Sequence, residues 1–322
     1  MIGIKAIKPF IAGEKTNISS LREYEALNEQ ELEYLNSAGI KTVYDAENYT
    51  SYDLALEAAR KLFAEEEITP QEINAIIYIK SRVPEYFVAS EATRLQHDLG
   101  IENCLTFSVS DLGCVDSTLA VKMAKDLLIS NSAWENVLIV YGSKKFTEQR
   151  FRFPVTMTGD GGVACVIGRT DRNVIEDVKI ESNGKYWDLF KIDFRNELAE
   201  QYKEECTDLR KYGFELALES RNRFDGQINS ILTENGLQKE EINAYVMQNI
   251  SARAFQYYED AFGIKISPFC KMNLGQYGHL GSADILLNYQ LGLQAKMIKP
   301  GSRVLILNNS PVAAWSTILI KA

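Results

Sequence analysis

The chain has 322 residues, a formal net charge of −9, 46% apolar residues and 25% charged residues. That apolar share suffices for a sizeable core, which excludes a disordered chain, and the length suits two domains or two halves. The acidic balance opposes nonspecific binding to nucleic acid or an anionic membrane, and no apolar run is long enough to span a bilayer.

The apolar start, MIGIKAIKPFI, is short and runs into charged sequence, so it reads as a first strand and not a signal peptide. Residues 54–63 place apolar groups at 54, 55, 58, 59, 62 and 63, the spacing of a helix. Thr69, Pro70 and Glu72 then mark a helix start with capping-box spacing, and INAIIYIK reads as a buried strand. Residues 115–129 predict an amphipathic helix, and NVLIVYG at 136–142 a second buried strand. Short apolar strands alternating with helices predict α/β layers around a central sheet.

An internal repeat organises these elements. EINA at 72–75 recurs at 241–244, DLGCVDSTLA at 111–120 lines up with HLGSADILLN at 279–288, and VLI at 137–139 recurs at 304–306. The offsets are nearly constant, so the chain reads as two similar halves, 1–170 and 171–322. They would pack about a pseudo-two-fold axis, with equivalent loops meeting at their junction. The second half carries an extra stretch, 184–235, rich in aromatic and charged residues with helical periodicity. Surface helices and the wall of a substrate tunnel both fit it.

Five cysteines, Cys104, Cys114, Cys165, Cys206 and Cys270, are odd in number and form no CxxC pair. Neither a disulfide framework nor a metal site is expected, and a reduced cytoplasm fits best. Cys114 lies in SVSDLGCVDS, between a strand ending near Val109 and a helix starting near Val115. A thiol at a helix N-terminus meets unpaired N–H groups and the positive end of the helix dipole, which favour thiolate. Small-residue packing in the core fits the same sequence. Cys104, Cys165 and Cys270 sit in or beside apolar strands and read as packing residues. GDGGVACVIG at 159–168 lacks the Lys-Ser/Thr of a P-loop and does not open a helix, so it reads as a structural turn. Of the two histidines, His97 falls on an exposed helical segment, whereas the repeat places His279 opposite the Cys114 loop. A Cys–His pair would assemble there if the halves pack symmetrically.

Taken together, TSYDLALEAARKLF, SDLGCVDS, NVLIVYGSKKF, MTGDGGVACVIG, YVMQNISARAF, YGHLGSA and the Trp315 strand occur in one order and spacing. In this the chain resembles the beta-ketoacyl-ACP synthase III family of thiolase-fold condensing enzymes over nearly its whole length. The resemblance implies a five-layered αβαβα core of two pseudo-two-fold-related halves, a homodimer, and substrates that are thioesters of acyl carrier protein (ACP) or CoA, with no cofactor. It implies an acyl group carried on Cys114 and attacked there by a decarboxylating malonyl thioester.

Three departures accompany the resemblance. Gln248 stands where the family has its catalytic His, and His279 follows Tyr277–Gly278 where the family has Asn. In NNSPVAAWS, Pro311 occupies the position of an oxyanion-hole amide and has no N–H to give. A shift of one residue would return a donor through Ser310 or Val312. Arg253 matches a basic residue that docks the carrier protein, while Glu33 and Ser37 replace the groups that grip the CoA nucleotide. A carrier-protein donor is therefore expected over free CoA. Three functions follow: acyl transfer to a malonyl-type carbon nucleophile, acyl transfer to oxygen or nitrogen, and a non-catalytic partner of an active ketosynthase.

Overall fold

The protein is described by a computed structural model covering residues 1–80, 84–86, 88–147, 149–192, 195, 198 and 201–322. The main strands are β1 (Ile2–Phe10), β2 (Ala75–Ile79), β3 (Leu105–Val109), β4 (Asn136–Ser143), β5 (Gly161–Arg169), β6 (Val174–Ser182), β7 (Ala244–Met247), β8 (Arg303–Ser310) and β9 (Ala314–Lys321). They are bonded in the order β7-β8-β9-β6-β1-β5-β4-β2-β3. The β1–β6 join rests on the single pair Gly3↔Val174, so the order divides there into two half-sheets.

The half-sheets share one plan. β1–β5 and β5–β4 are antiparallel, then β4–β2 and β2–β3 are parallel. Likewise β6–β9 and β9–β8 are antiparallel and β8–β7 is parallel. A bridge between Tyr245 and Ile266 stands where a fifth strand of the second half would lie.

Helix α1 (Glu29–Ser37) precedes α2 (Ser51–Glu65), and α3 (Glu91–Asp98) leads toward α4 (Asp116–Ser130). The second half holds α5 (Ala217–Glu234), α6 (Ala252–Phe262), α7 (Pro268–Tyr277) and α8 (Asp284–Gln294). α4 and α8 each touch strands of both half-sheets and form the middle layer, with α2 outside the first sheet and α5 outside the second. This is the five-layered αβαβα arrangement. It explains why β4 is buried almost throughout, since helices cover both its faces. α2 opens with a capping box, the Thr50 hydroxyl accepting from Asp53 N–H and the Asp53 carboxylate from Thr50 N–H.

The glycine-rich segment is part of this packing. A Cβ on Gly162 would lie 2.0 Å from the Leu54 carbonyl oxygen, so the glycine lets α2 lie flush on β5. Beside it Asp160 is fully buried, bonded to both Arg150 terminal nitrogens at 2.8 and 3.0 Å and to Ala46 N–H at 3.0 Å. The 184–235 stretch includes α5, whose Ser220 Oγ accepts the Trp315 indole N–H at 2.8 Å and so ties α5 to β9. Residues 193–194, 196–197 and 199–200 of that stretch lie outside the described residues.

Candidate active site

The site forms where the two repeated loops meet at the middle layer. Gly113 and Gly281 both take left-handed backbone, at φ 59° and 57°. Each opens a short 3₁₀ turn, Gly113–Val115 or Gly281–Ala283, that leads into α4 or α8. A Cβ on Gly113 would lie 2.5 Å from Ser310 Oγ, so only glycine fits both the angle and the space. Cys114 follows, 6% exposed, at the first turn before α4. Its carbonyl oxygen accepts from Asn308 Nδ2 at 2.8 Å and from Ser117 Oγ at 3.0 Å, which fixes the turn.

His279 is placed by backbone pairing with the loop after β4. Its N–H donates to Met157 O at 2.9 Å, and its carbonyl accepts from Gly159 N–H at 3.0 Å. The ring then lies with Nε2 3.3 Å from Cys114 Sγ and Nδ1 2.6 Å from Asp284 Oδ2. Asp284 is fully buried and also accepts from Leu280 N–H at 2.7 Å and Asn249 N–H at 2.9 Å. Burial alone would push the His279 ring pKa down. The Asp284 charge and the Cys114 sulfur outweigh it and raise the pKa to about 10. Cys114, His279 and Asp284 thus form a buried line of thiol, imidazole and carboxylate.

A cavity of about 600 Å³ leads from Cys114 and His279 to a mouth beside Glu33 and Arg253. Tyr34, Pro154, Leu209, Tyr212, Leu216 and Tyr257 are among its walls. The segment 209–220 therefore helps line this cavity and is not merely a surface cover. It contains a π-helical turn, Lys211–Leu216, a distortion often found at functional sites.

Gln248 lines the same cavity but is committed elsewhere. Its Nε2 donates to both the backbone and side-chain oxygens of Asn309, and its Oε1 accepts from Asn309 N–H at 3.2 Å. Both amide hydrogens are used, so the bond from Gln248 to a substrate carbonyl that its position suggests is not set up here.

Residues 232–322 match the family described as 3-oxoacyl-[acyl-carrier-protein (ACP)] synthase III C terminal. The chain is 26% identical over 281 residues to a beta-ketoacyl-[acyl-carrier-protein] synthase III of Campylobacter jejuni, covering 86% of this chain and 84% of that one. It is 25% identical to the Helicobacter pylori protein of the same name, over 98% of this chain and 97% of that one. The solved structure of the acyltransferase ChlB3 superposes with a TM-score of 0.86 at 19% identity, covering 100% and 97% of the two chains. That of 3-oxoacyl-[acyl-carrier-protein] synthase III from Aquifex aeolicus gives 0.80 at 19%, covering 100% of both. The chain is a relative of beta-ketoacyl-ACP synthase III.

Its framework is the thiolase fold of those solved structures. Of the remaining residues expected from the sequence, Glu33, Arg253 and Ser310 line the same cavity, and Val312 and Ser37 are not on its wall. Ser310 and Pro311 line it. Val312 N–H already donates to Ser310 Oγ at 3.2 Å, and Ala313 N–H to Ser310 O at 3.0 Å, so Val312 does not replace the donor that Pro311 lacks. Arg253 stands half-exposed at the mouth of this synthase III relative, 3.5 Å from Glu33 and over the Tyr34 ring. Ser37 Oγ donates to the carbonyls of Glu33 and Tyr34 in its own helix. His97 is exposed on α3, away from the site. Among the described residues there is no group of three or more His, Cys, Asp or Glu that could hold a metal ion, and no helix long and apolar enough to cross a membrane.

The sequence reading missed Asp284 and Asn308. The repeat held the signal for Asp284, because HLGSAD aligns it with Asp116 of DLGCVD. Both carboxylates accept the N–H of the leucine four residues back, at 2.7 and 3.1 Å. Only Asp284 has a histidine one residue further up. Arg152, buried against Glu204 and beside Cys114 on the cavity wall, had no signal of its own.

Proposed function

We propose that this chain is an acyltransferase of the ketosynthase III type that carries its acyl group as a thioester on Cys114. The line Cys114–His279–Asp284 carries this reading. Cys114 gives its proton to His279 Nε2, and the sulfur attacks the carbonyl carbon of an incoming acyl thioester. A new C–S bond forms, the donor's C–S bond breaks, and the departing thiolate takes the proton back from Nε2. Asp284 keeps the other ring proton on Nδ1 throughout.

The geometry favours a hydroxyl or amine as the second acceptor. Once Cys114 is acylated, one of the two groups that hold the His279 charge is neutral. The ring, whose extra proton left with the departing thiolate, can then take one from the acceptor at Nε2. Decarboxylation of a malonyl thioester calls for two donors on the enolate oxygen. With the Gln248 hydrogens on Asn309, His279 supplies one. Condensation with a malonyl-type carbon nucleophile is the second reading, and the similarity to beta-ketoacyl-[acyl-carrier-protein] synthases III over most of the chain favours it. The intact line of three residues weighs against a non-catalytic subunit.

In this reading the cavity takes a pantetheine arm and Arg253 docks an acidic acyl carrier protein in preference to CoA. The halves divide near residue 170, and the protein works in the cytoplasm as a homodimer. β3 ends the strand order with Leu105 47% exposed, an edge suited to pairing with a second copy. The test is intact mass after incubation with acyl-CoA and acyl-ACP donors, with Cys114→Ala as control. An adduct on the native chain alone supports the reading. An adduct that then decays with an amine or alcohol assigns acyl transfer, and decay with malonyl-ACP and carbon dioxide release assigns condensation. No adduct from any donor refutes both.

A further inference from the structure

Arg152 stands on the walls of two cavities that both reach Cys114 and His279, the one of about 600 Å³ and a smaller one of about 60 Å³. It is 8% exposed, and its guanidinium carbon lies 5.6 Å from the centre of the Phe146 ring, which is also on the smaller cavity's wall. Glu204 takes one edge of the guanidinium. Its Oε2 accepts from Nε, and its Oε1 from Nη2 at 2.8 Å. A guanidinium offers five N–H groups in one plane, and a carboxylate on the Nε edge uses two of them. Nη1 is at the other end of the fork. It makes no hydrogen bond among the described residues, yet it is not one of the sealed polar atoms that lack a partner. It therefore keeps contact with the space beside Cys114.

The charges around the smaller cavity leave room for an anion. Lys80, Lys144 and Arg152 stand on its wall against Asp116. Lys144 Nζ lies 3.2 Å from Asp160, Arg152 is paired with Glu204, and Asp116 accepts Leu112 N–H at 3.1 Å. Lys80 makes no ion pair among the described residues, and Glu91 acts on it only from a distance. Burial alone would lower the Arg152 pKa, but Glu204 and then the Cys114 sulfur outweigh it, so the guanidinium stays charged. The size is restrictive too. At about 30 Å³ per water-sized group, the smaller cavity holds about two such groups, which suits a carboxylate and not a long chain.

Resting on the acyl-Cys114 reading, we propose that the acyl group it carries is a short dicarboxylic one, of malonyl to succinyl size, whose free carboxylate bonds Arg152 Nη1. The thioester exchange is the one already described. The donor's C–S bond breaks, the bond to Cys114 forms, and the carboxylate is carried through with no loss of carbon dioxide. An uncharged acyl group of the same shape leaves the open N–H groups of a buried cation unanswered. A site built to bond a polar group rejects an analogue lacking it far more strongly than a cavity discriminates by shape alone.

The experiment compares rates of Cys114 acylation, by intact mass, from S-acyl-pantetheine donors matched in shape: malonyl against 3-methylbutanoyl, and succinyl against 4-methylpentanoyl. Each rate is divided by that of the same donor with free cysteine. In the better-fitting pair the carboxylated donor is expected to react about 10–100-fold faster. Arg152→Gln should bring that ratio close to one, and Arg152→Lys should keep part of it. Because Arg152→Gln leaves Glu204 without its partner, the double variant Arg152→Gln/Glu204→Gln is measured beside it. A merely structural role would slow both members of a pair alike and leave the ratio in place. A ratio near one in both pairs of the native chain, or a preference that both variants retain, overturns the inference while the acyl-enzyme reading stands. If no donor labels Cys114, the acyl-enzyme reading fails and the inference falls with it.

Discussion

Replacing Asp284 by Asn tests the line of three residues through its weakest covalent change. The ring of His279 titrates near 10 against an ordinary 6.5, a preference for the charged ring of about 5 kcal/mol at 1.36 kcal/mol per pH unit. Asp284 is the larger of the two groups that raise it against burial. In Asp284→Asn the charge is gone, and the amide has one oxygen for the three donors that Asp284 now serves: Leu280 N–H, Asn249 N–H and His279 Nδ1–H. If the oxygen keeps a backbone partner, the amide nitrogen donates to Nδ1. The ring proton then moves to Nε2, which can no longer accept one from Cys114. The same exchange in a Ser-His-Asp triad costs about 10⁴ in rate, and loss of acid–base help generally about 10²–10⁴. Cys114 acylation at pH 7.5 is therefore expected to fall by about 10²–10⁴. In the native chain the rate should stay level with pH until His279 loses its proton near 10. In the variant it should rise with pH, because the thiol proton must leave to solvent. One buried N–H left unpaired costs about 1–3 kcal/mol, so melting should drop by several degrees without loss of the fold. Stopped-flow acylation with a pantetheine thioester, read across pH, decides the matter. A variant within threefold of native and equally flat with pH would refute the role given to Asp284.

Two further outcomes follow from the same geometry. Gly113→Ala forces a side chain into left-handed backbone and against Ser310 Oγ, and should cost about 1–3 kcal/mol in denaturant unfolding while slowing Cys114 acylation; an unchanged midpoint would show that the turn can relax. Because the folded His279 pKa lies above its ordinary value, its contribution to stability is complete below about pH 6.5 and is lost as pH climbs toward 10. The melting temperature should decline over that window in the native chain and much less in Asp284→Asn, and parallel curves for the two would count against the reasoning.

Much of the fold could be read along the chain because its causes are local. The helical spacing at 54–63 became α2, the apolar run at 136–142 became β4, and the strand-turn-helix around Cys114 is present with Gly113 at positive φ. The repeat also carried through to structure. Thr69–Glu72 and Gln238–Glu241 both form capping boxes, and DLGCVD and HLGSAD form equivalent turns into α4 and α8. Backbone hydrogen bonding and side-chain period dictate such features within a few residues of sequence.

The pairing of Cys114 with His279 was legible only as a possibility, and its completion by Asp284 was not. Nor was the diversion of Gln248 to Asn309, the engagement of Val312 by Ser310, or the pairing of Arg152 with Glu204. In each case the partner depends on which way a side chain points after two half-sheets close on α4 and α8. The sequence by itself determined the elements, their duplication and the place of Cys114 at a helix start, since these rest on local periodicity and turn chemistry. The tertiary structure alone decided which buried donors and acceptors are spent on the protein and which face the substrate, because that pairing is settled by packing between residues far apart in the chain.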